Sequence, residues 1–421
     1  MQFLNELSFA LQLDENDALK SFRSKFYIPQ HNGKDQVYLC GNSLGLQPKS
    51  AKEAIDQELK DWAELGVEGH FRGKNPWMYY HHFLTEKAAR VVGALPKEVV
   101  IMNNLTANLH LMMVSFYKPS KERYKIMMEV SAFPSDQYAM ETQARFHGLN
   151  PDDAIIELKP REGEFTLRTE DILARIEENK DSLAIVMMGG VNYLTGQAFD
   201  MKSITEKAHA VGAKVGFDLA HAAGNLHLKL HEWGPDFAVW CSYKYLNSGP
   251  GGTSGVFVHE RHANNPELVR FAGWWGHEEA SRFQMKKGFI PMEGAAGWQL
   301  SNAQIFPMAI HKASLEIFDE AGIENLRKKS ELLTAYLYFV LADFKEHLNV
   351  ITPETAADRG CQLSIIVKED GKKLFDYLES QGILPDWREP NVIRMSPVPL
   401  YNTFEDVYRI GQALKSFFEN K

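Results

Sequence analysis

Asp218 and Lys244 hold the greatest chemical potential in this chain. Asp218 closes the apolar run Ala213-Lys-Val-Gly-Phe-Asp218. Lys244 lies in Ser242-Tyr-Lys-Tyr245, after a second run, Asp236-Phe-Ala-Val-Trp-Cys241, and before Gly249-Pro-Gly-Gly252. A lysine amine becomes a nucleophile toward carbonyls when burial or a nearby cation lowers its pKa. Aromatic neighbours, a preceding strand and a glycine-rich exit suggest a crevice around Lys244. If both runs are parallel strands of an open α/β sheet, their carboxyl ends face the crevice where such sheets bind ligands. A lysine and an aspartate meeting there are what pyridoxal phosphate requires, one for the Schiff base and one for the pyridine nitrogen.

Each residue also has an ordinary reading. Lys244 could be a solvated surface lysine, and Asp218 a helix cap or turn residue. His221, three residues past Asp218, would lie beside the cofactor ring, or be a core histidine or metal ligand. His221, His227 and His231 with Asp218 offer enough donors for zinc, but their spacing matches no compact metal motif.

A phosphate needs backbone N–H groups at a helix start, ideally with a hydroxyl nearby. Asn103-Asn-Leu-Thr-Ala-Asn-Leu-His110 supplies this after a strand ending near Met102, with Thr106 able to cap. Phe133-Pro-Ser-Asp136 follows another strand and opens another helix. Pro134 suits a first helical turn, Phe133 could stack on a cofactor ring, and Asp136 could bond nearby. Arg394, between Ile393 and Met395, could clamp a carboxylate through both oxygens; a solvent-facing strand arginine is the plainer account.

These residues need a scaffold that holds strand ends together. Val99-Val-Ile-Met102, Lys125 to Val130, Leu183 to Met188, Lys214 to Leu219, Phe237 to Cys241 and Gly255 to Val258 are short, several apolar throughout, as strands buried on both faces are. Helix-length amphipathic segments separate most of them. The pattern predicts a doubly wound α/β sheet. Two helices then divide near Ala321-Gly322. Gln362 to Val367, Gly371 to Gln381, Val392 to Met395 and Phe404 to Phe418 suggest a small α+β unit. The expected organisation is an N-terminal segment, 1–50, packed on the main body, a large domain at 51–310 and a C-terminal α+β domain at 311–421.

A length of 421 residues with 44% hydrophobic and 24% charged residues describes a globular protein able to bury a large core. No run is apolar for long enough to span a bilayer. The start, Met1-Gln-Phe-Leu-Asn-Glu-Leu, lacks a basic, apolar leader, so the expected compartment is the cytoplasm. Cys40, Cys241 and Cys361 are odd in number and far apart, which argues against a disulfide framework. A formal charge of −9 without a long basic run argues against nucleic acid as a partner.

Taken together, the chain closely resembles the kynureninase family of fold type I (aspartate aminotransferase-like) pyridoxal-phosphate enzymes. The matching segments run along nearly the whole sequence. They are Cys40-Gly-Asn-Ser-Leu-Gly-Leu-Gln-Pro48, Leu105-Thr106, Phe133-Pro-Ser-Asp136, Gly216-Phe-Asp-Leu-Ala-His-Ala222, Trp240-Cys-Ser-Tyr-Lys-Tyr-Leu-Asn247, Gly273-Trp-Trp-Gly-His277, Leu300-Ser-Asn302 and Ile393-Arg-Met-Ser-Pro-Val-Pro-Leu-Tyr401. The resemblance implies that Lys244 carries pyridoxal 5'-phosphate, Asp218 binds its pyridine nitrogen, and Phe133 stacks on it. It implies that Leu105, Thr106, Pro134, Ser135, Asp136, His221 and Tyr243 help hold the cofactor, with Trp274 and Asn302 reaching it from the partner of a homodimer. Arg394 would bind the substrate carboxylate, and Tyr243 would relay a proton.

The implied reaction is hydrolysis of L-kynurenine or 3-hydroxy-L-kynurenine to anthranilate or 3-hydroxyanthranilate and L-alanine, in tryptophan breakdown or pyridine-nucleotide synthesis. Ser43, His70 and Asn302 resemble the branch that favours the 3-hydroxy substrate. One departure stands out: where many relatives carry a small hydroxyl residue after the strand Ala184 to Met188, this chain has Gly189-Gly190, so a cofactor or substrate contact from that side chain is absent and Gly189 is left doubtful as a site. Two rivals remain. One is another fold type I lyase such as a cysteine desulfurase, with Cys361 as nucleophile; the other is a catalytically inactive, ligand-binding relative.

Overall fold

The computed structural model describes residues 2–419 except Pro266. Seven strands form its central sheet: β1 (Val99–Ile101), β2 (Lys125–Glu129), β3 (Ile155–Leu158), β4 (Leu183–Gly189), β5 (Lys214–Asp218), β6 (Phe237–Trp240) and β7 (Gly255–Val258). They lie in the order β1-β7-β6-β5-β4-β2-β3. From β3 across to β6 all neighbours are parallel, and β7 runs antiparallel to β6 and β1. Six of the seven strands occupy the stretches expected from their apolar runs. The unanticipated β3 alternates buried and exposed positions at the sheet edge and follows directly on a short helical turn, Pro151–Ala154.

Parallel strands need helical crossovers, and these cover both faces. The helices that matter for chemistry are α1 (Leu105–Phe116), which follows β1, and α2 (Pro134–Phe146), which follows β2. Sheet residues such as Val186, Val215 and Phe217 are buried in one apolar cluster, and Ile126, Ile185 and Val239 in another. Gly216 permits this packing, because a Cβ there would lie 2.1 Å from Phe237 Cζ.

A buried carboxylate fixes β5 against β6. Asp236 accepts from Val215 N at 2.8 Å, His209 Nε2 at 2.9 Å and His262 Nε2 at 2.7 Å, and pairs with Lys214 at 3.2 Å. Burial pushes its pKa up, but hydrogen bonds from His209 and His262 and the Lys214 charge outweigh burial and hold it well below the usual carboxylate range. β5 and β6 are thereby tied together at the ends opposite those that lead to Asp218 and Lys244.

Beyond the sheet, α3 (Ile305–Ala321) and α4 (Ile323–Ala342) meet at Gly322. They lead to an antiparallel sheet of β8 (Leu348–Val350), β9 (Leu363–Val367), β10 (Asp386–Arg388) and β11 (Val392–Met395), ordered β8-β9-β11-β10. Residues 371–380 and 404–419 form helices over its core. The first fifty residues join both apolar centres. Phe22, Phe26 and Leu46 belong to the cluster at the large sheet, whereas Ala10, Leu13, Val37 and Leu39 belong to the C-terminal one.

Candidate active site

The carboxyl ends of β2, β4, β5 and β6, adjacent in the sheet, converge on one cavity. Each contributes a group there: Glu129 ends β2, Gly189 ends β4, Asp218 ends β5, and Tyr243 with Lys244 lies just past β6. Chain order changes direction across these strands, since β3 lies on one side of β2 and β4 on the other. That reversal opens the crevice used for ligands in such sheets.

Lys244 Nζ lies 3.1 Å from His221 Nε2, 5.7 Å from the Phe133 ring centre and 5.9 Å from that of Tyr243. His221 is buried. Desolvation, then the positive charges of Lys244, Arg394 and Arg388, hold its pKa well below the ordinary histidine value. It is therefore neutral and can accept a hydrogen bond from the lysine ammonium. Its Nδ1 is buried without a partner.

Facing the lysine is a pair of carboxyls. Asp218 accepts from Ala220 N at 2.6 Å and shares a side-chain hydrogen bond with Asp136. Burial pushes Asp136 well above the carboxylate range, and the neighbouring Asp218 and Glu129 charges push it further. Burial also raises Asp218, but the Ala220 N–H, Lys244 and the bond with Asp136 oppose this. The proton thus resides on Asp136 and the negative charge on Asp218. Asp136 Oδ1 remains buried without a partner.

At the other side of the cavity, α1 and α2 begin. Asn104 caps α1, its side chain accepting from Ala107 N at 3.3 Å, so the capping residue is not the expected Thr106. Thr106 is thereby left free to bond Ser135 of α2, with 2.8 Å between the hydroxyls. Two helix starts and two hydroxyls make a cradle for a phosphate.

Pyridoxal phosphate matches this donor set. The cradle suits its phosphate, Lys244 its carbonyl carbon, and the anionic Asp218 a protonated pyridine nitrogen. Buried Asp136 Oδ1 and His221 Nδ1, without partners in the protein, suit bonds to such a polar ligand.

The structure brings Leu105, Thr106, Phe133, Ser135, Asp136, Asp218, His221, Tyr243 and Lys244 together around the cavity, along with the doubtful Gly189. Glu129 and Tyr193 join them unanticipated. Glu129 was visible in principle, as a charged residue closing the apolar run Lys125 to Glu129 just as Asp218 closes its own. Tyr193 lies in a loop with no such signal; its ring meets Phe133 edge to face at 5.4 Å.

Six anticipated residues do not line the cavity within one chain. Pro134 occupies the first turn of α2. Arg394 is buried behind the cavity wall, donating from Nη1 to Tyr193 O at 2.7 Å and pairing through Nη2 with Asp386, while Nε has no partner. Ser43 is exposed, yet its loop docks on the lysine segment, Gly45 N donating to Tyr243 O at 2.8 Å. His70 is half-buried, its Nδ1 3.0 Å from Val67 O and its ring edge-on to Trp77. Trp274 and Asn302 are exposed at the surface.

A nucleophilic Cys361 is disfavoured. The thiol is fully buried, and burial pushes its pKa up to about 12. The zinc reading also fails among the described residues: His221 bonds Lys244, His231 bonds Glu98 at 3.1 Å, and His227 lies 4.0 Å from Glu324.

Residues 326–414 match the family model described as the kynureninase C-terminal domain. The chain is 56% identical over 419 residues to a kynureninase of Flavobacterium psychrophilum, covering 99% of each protein. It is 57% identical over 415 residues to one of Myxococcus xanthus, covering 98% of this chain and 97% of that one. Among solved structures, a cysteine desulfurase from Thermococcus onnurineus superposes with a TM-score of 0.75 at 18% identity, covering 92% of this chain and 95% of that one. The cystine C-S lyase C-DES, in complex with cysteine persulfide, gives 0.77 at 17% identity, covering 90% and 97%. These two similarities show a shared fold, that of fold type I pyridoxal-phosphate enzymes. The near full-length identity to the sequence relatives shows more: the chain belongs to the kynureninase family.

Proposed function

We propose that this protein is a pyridoxal-phosphate-dependent hydrolase that cleaves the Cβ–Cγ bond of L-kynurenine or 3-hydroxy-L-kynurenine, consuming one water and releasing L-alanine with the corresponding anthranilate. The observation that carries the reading is the meeting of Lys244, the Asp218–Asp136 pair and the Thr106–Ser135 cradle around one cavity. Bound there, the cofactor supplies an electron sink for bond breaking at the substrate's Cα and Cβ.

The chain's own residues then divide the work. Lys244 would hold the cofactor covalently and, when free of it, serve as the base for the substrate's α-proton, with neutral His221 accepting a hydrogen bond from it. Asp218 holds a proton on the pyridine nitrogen. Burial, followed by the nearby Cys241, raises the Tyr243 pKa, so its phenol stays protonated and serves as a donor in the later half of the cycle. Phe133 covers a face of the ring. Arg394, with an unpartnered Nε, receives the substrate carboxylate.

Ser43, His70 and Asn302 read the hydroxyl of 3-hydroxykynurenine, since a site built to bond a hydroxyl leaves its own polar groups unpaired on the analogue lacking it. The expected result is a kcat/KM for the 3-hydroxy substrate at least about tenfold above that for kynurenine. Equal values in side-by-side steady-state assays would sink this preference.

The working form is a homodimer with Trp274 and Asn302 contributed across the interface. Surface chemistry supports this: Trp62, Val67 and Phe71 are exposed near His70, and Tyr27, Leu44, Leu46, Pro250 and Ile310 line an apolar groove beside the lysine segment. Exposed apolar side chains gathered in this way suit a contact with a second subunit. Sedimentation should give twice the chain mass of 47.9 kDa; an active monomer would contradict the shared site. No helix among the described residues is long and apolar enough to cross a membrane. We place the enzyme in the cytoplasm, and in tryptophan breakdown or pyridine-nucleotide synthesis; a cell fractionation that finds it elsewhere would overturn the first placement.

A further inference from the structure

Two histidine–glutamate clusters lie outside the cavity, and neither forms a site. In Glu98, His231 and His259 the carboxylate already accepts from Leu95 N, Glu260 N and His231. In His81, His82 and Glu279 the two rings lie 4.0 Å apart with planes only 35° from parallel, so their in-plane lone pairs pass one another rather than meet on one ion. The informative group is inside the cavity.

Glu129 is a third carboxyl at the cofactor site, and no step proposed above uses it. Only 5% exposed, it lines the cavity, and both its oxygens face Gly189 N, at 3.1 and 3.2 Å. A Cβ on Gly189 would lie 2.9 Å from Glu129 Oε1, so glycine at this position makes room for the carboxyl. The departure and the buried acid are two sides of one arrangement.

The groups facing it are Asp218 from β5, Asp136 from α2, Lys244 and Tyr243 from the segment after β6, His221, and Tyr193. Three acids share the cavity with one lysine. Without another cation one acid must stay protonated, and Asp136 does. Burial raises Glu129 to about 7, partly offset by the Gly189 N–H and reinforced by Asp218. Its charge therefore appears in the pH range where the enzyme would work.

Resting on the cofactor reading above, we propose that Glu129 is a positioning residue, whose carboxylate on the Gly189 N–H places a second negative charge behind the Asp218–Asp136 pair and so favours the protonated form of the lysine-bound cofactor. The sign follows from charge. A nearby anion stabilises a cation, and its removal lowers the pH at which the cation loses its proton.

The test is a pH titration of the visible absorption of purified holoenzyme without substrate, for the unmutated protein, Glu129→Gln and Glu129→Asp. Glutamine keeps the shape and an acceptor for Gly189 N–H but no charge. Its midpoint should fall by about one pH unit, while Glu129→Asp stays near the unmutated midpoint. A Glu129→Gln midpoint equal to the unmutated one overturns the proposal, as does an equal shift in both variants, which would mean packing rather than charge. An unmutated protein showing no lysine-dependent absorption band would instead overturn the cofactor reading. Should Glu129→Gln not fold, Glu129→Ala, which also removes the charge, is titrated in its place; an unchanged midpoint there counts against the proposal.

Discussion

Lys244→Ala reduces turnover of kynurenine by at least about 10³-fold, because it removes both the covalent anchor and the base for the α-proton, and positioned acid–base groups alone contribute roughly 10²–10⁴. The loss is chemical rather than structural. Lys244 is half-buried on a loop, and the loop is held by other contacts: Gly45 N to Tyr243 O, Asn247 N to Lys244 O and Ser314 Oγ to Leu246 O. The variant should therefore fold, bind cofactor loosely, and lose the absorption band of the lysine-bound form. Borohydride reduction followed by peptide mapping should label Lys244 in the unmutated protein and nothing at that position in the variant. A Lys244→Ala enzyme with unmutated turnover would overturn the assignment of this residue.

Asp218→Asn lowers kcat/KM by about 10²–10³-fold, in the range measured when one preorganised electrostatic partner is removed from an active site. The amide has the shape of the carboxyl and can still accept from Ala220 N, now 2.6 Å away. It cannot carry the charge that keeps the pyridine nitrogen protonated. Asp136 is an imperfect substitute: without the Asp218 charge its pKa falls, but burial, the largest cause, and the Glu129 charge still hold it up. Cofactor affinity should weaken in parallel, measured by fluorescence titration with pyridoxal phosphate. A variant within a few-fold of unmutated activity would show that the charge opposite Lys244 does not matter.

The parts of the site legible in the sequence were those written locally. Asp218 and Lys244 each end or follow an apolar run, so their strands could be recognised, and Gly189↔Asp218 and Asp218↔Val239 are now in register across β4, β5 and β6. Thr106 and Phe133 to Asp136 sit at strand-to-helix turns, which also leave a local mark. Glu129 carries the same mark as Asp218, but Val130 continues its apolar run, so the run reads as strand alone. Strand β3 escaped because an edge strand only four residues long, with alternating burial, has too little apolar pattern to separate it from the helical turn before it.

Other features depend on chain segments far apart. Tyr193 reaches the cavity from a loop whose path is set by Arg394, Gln362 and Ser364 of the C-terminal sheet, all bonded to carbonyls at residues 193–194. A solvent-facing strand arginine, the plainer expectation for Arg394, does not hold, since the residue is buried and ion-paired. Its salt bridge with Asp386 arises from cross-strand register in β10 and β11, which no single-segment pattern reveals. Ser43, His70, Trp274 and Asn302 lie farther out still, and the account assigns Trp274 and Asn302 to a neighbouring subunit.

The most direct test of the central claim is product analysis of the holoenzyme with L-kynurenine and, separately, 3-hydroxy-L-kynurenine, following the aromatic product by fluorescence and the amino acid by chromatography. The account predicts equimolar L-alanine and anthranilate, or 3-hydroxyanthranilate, formed only with Lys244 intact. Absence of both products, or conversion of either substrate to a keto acid without alanine, would contradict it.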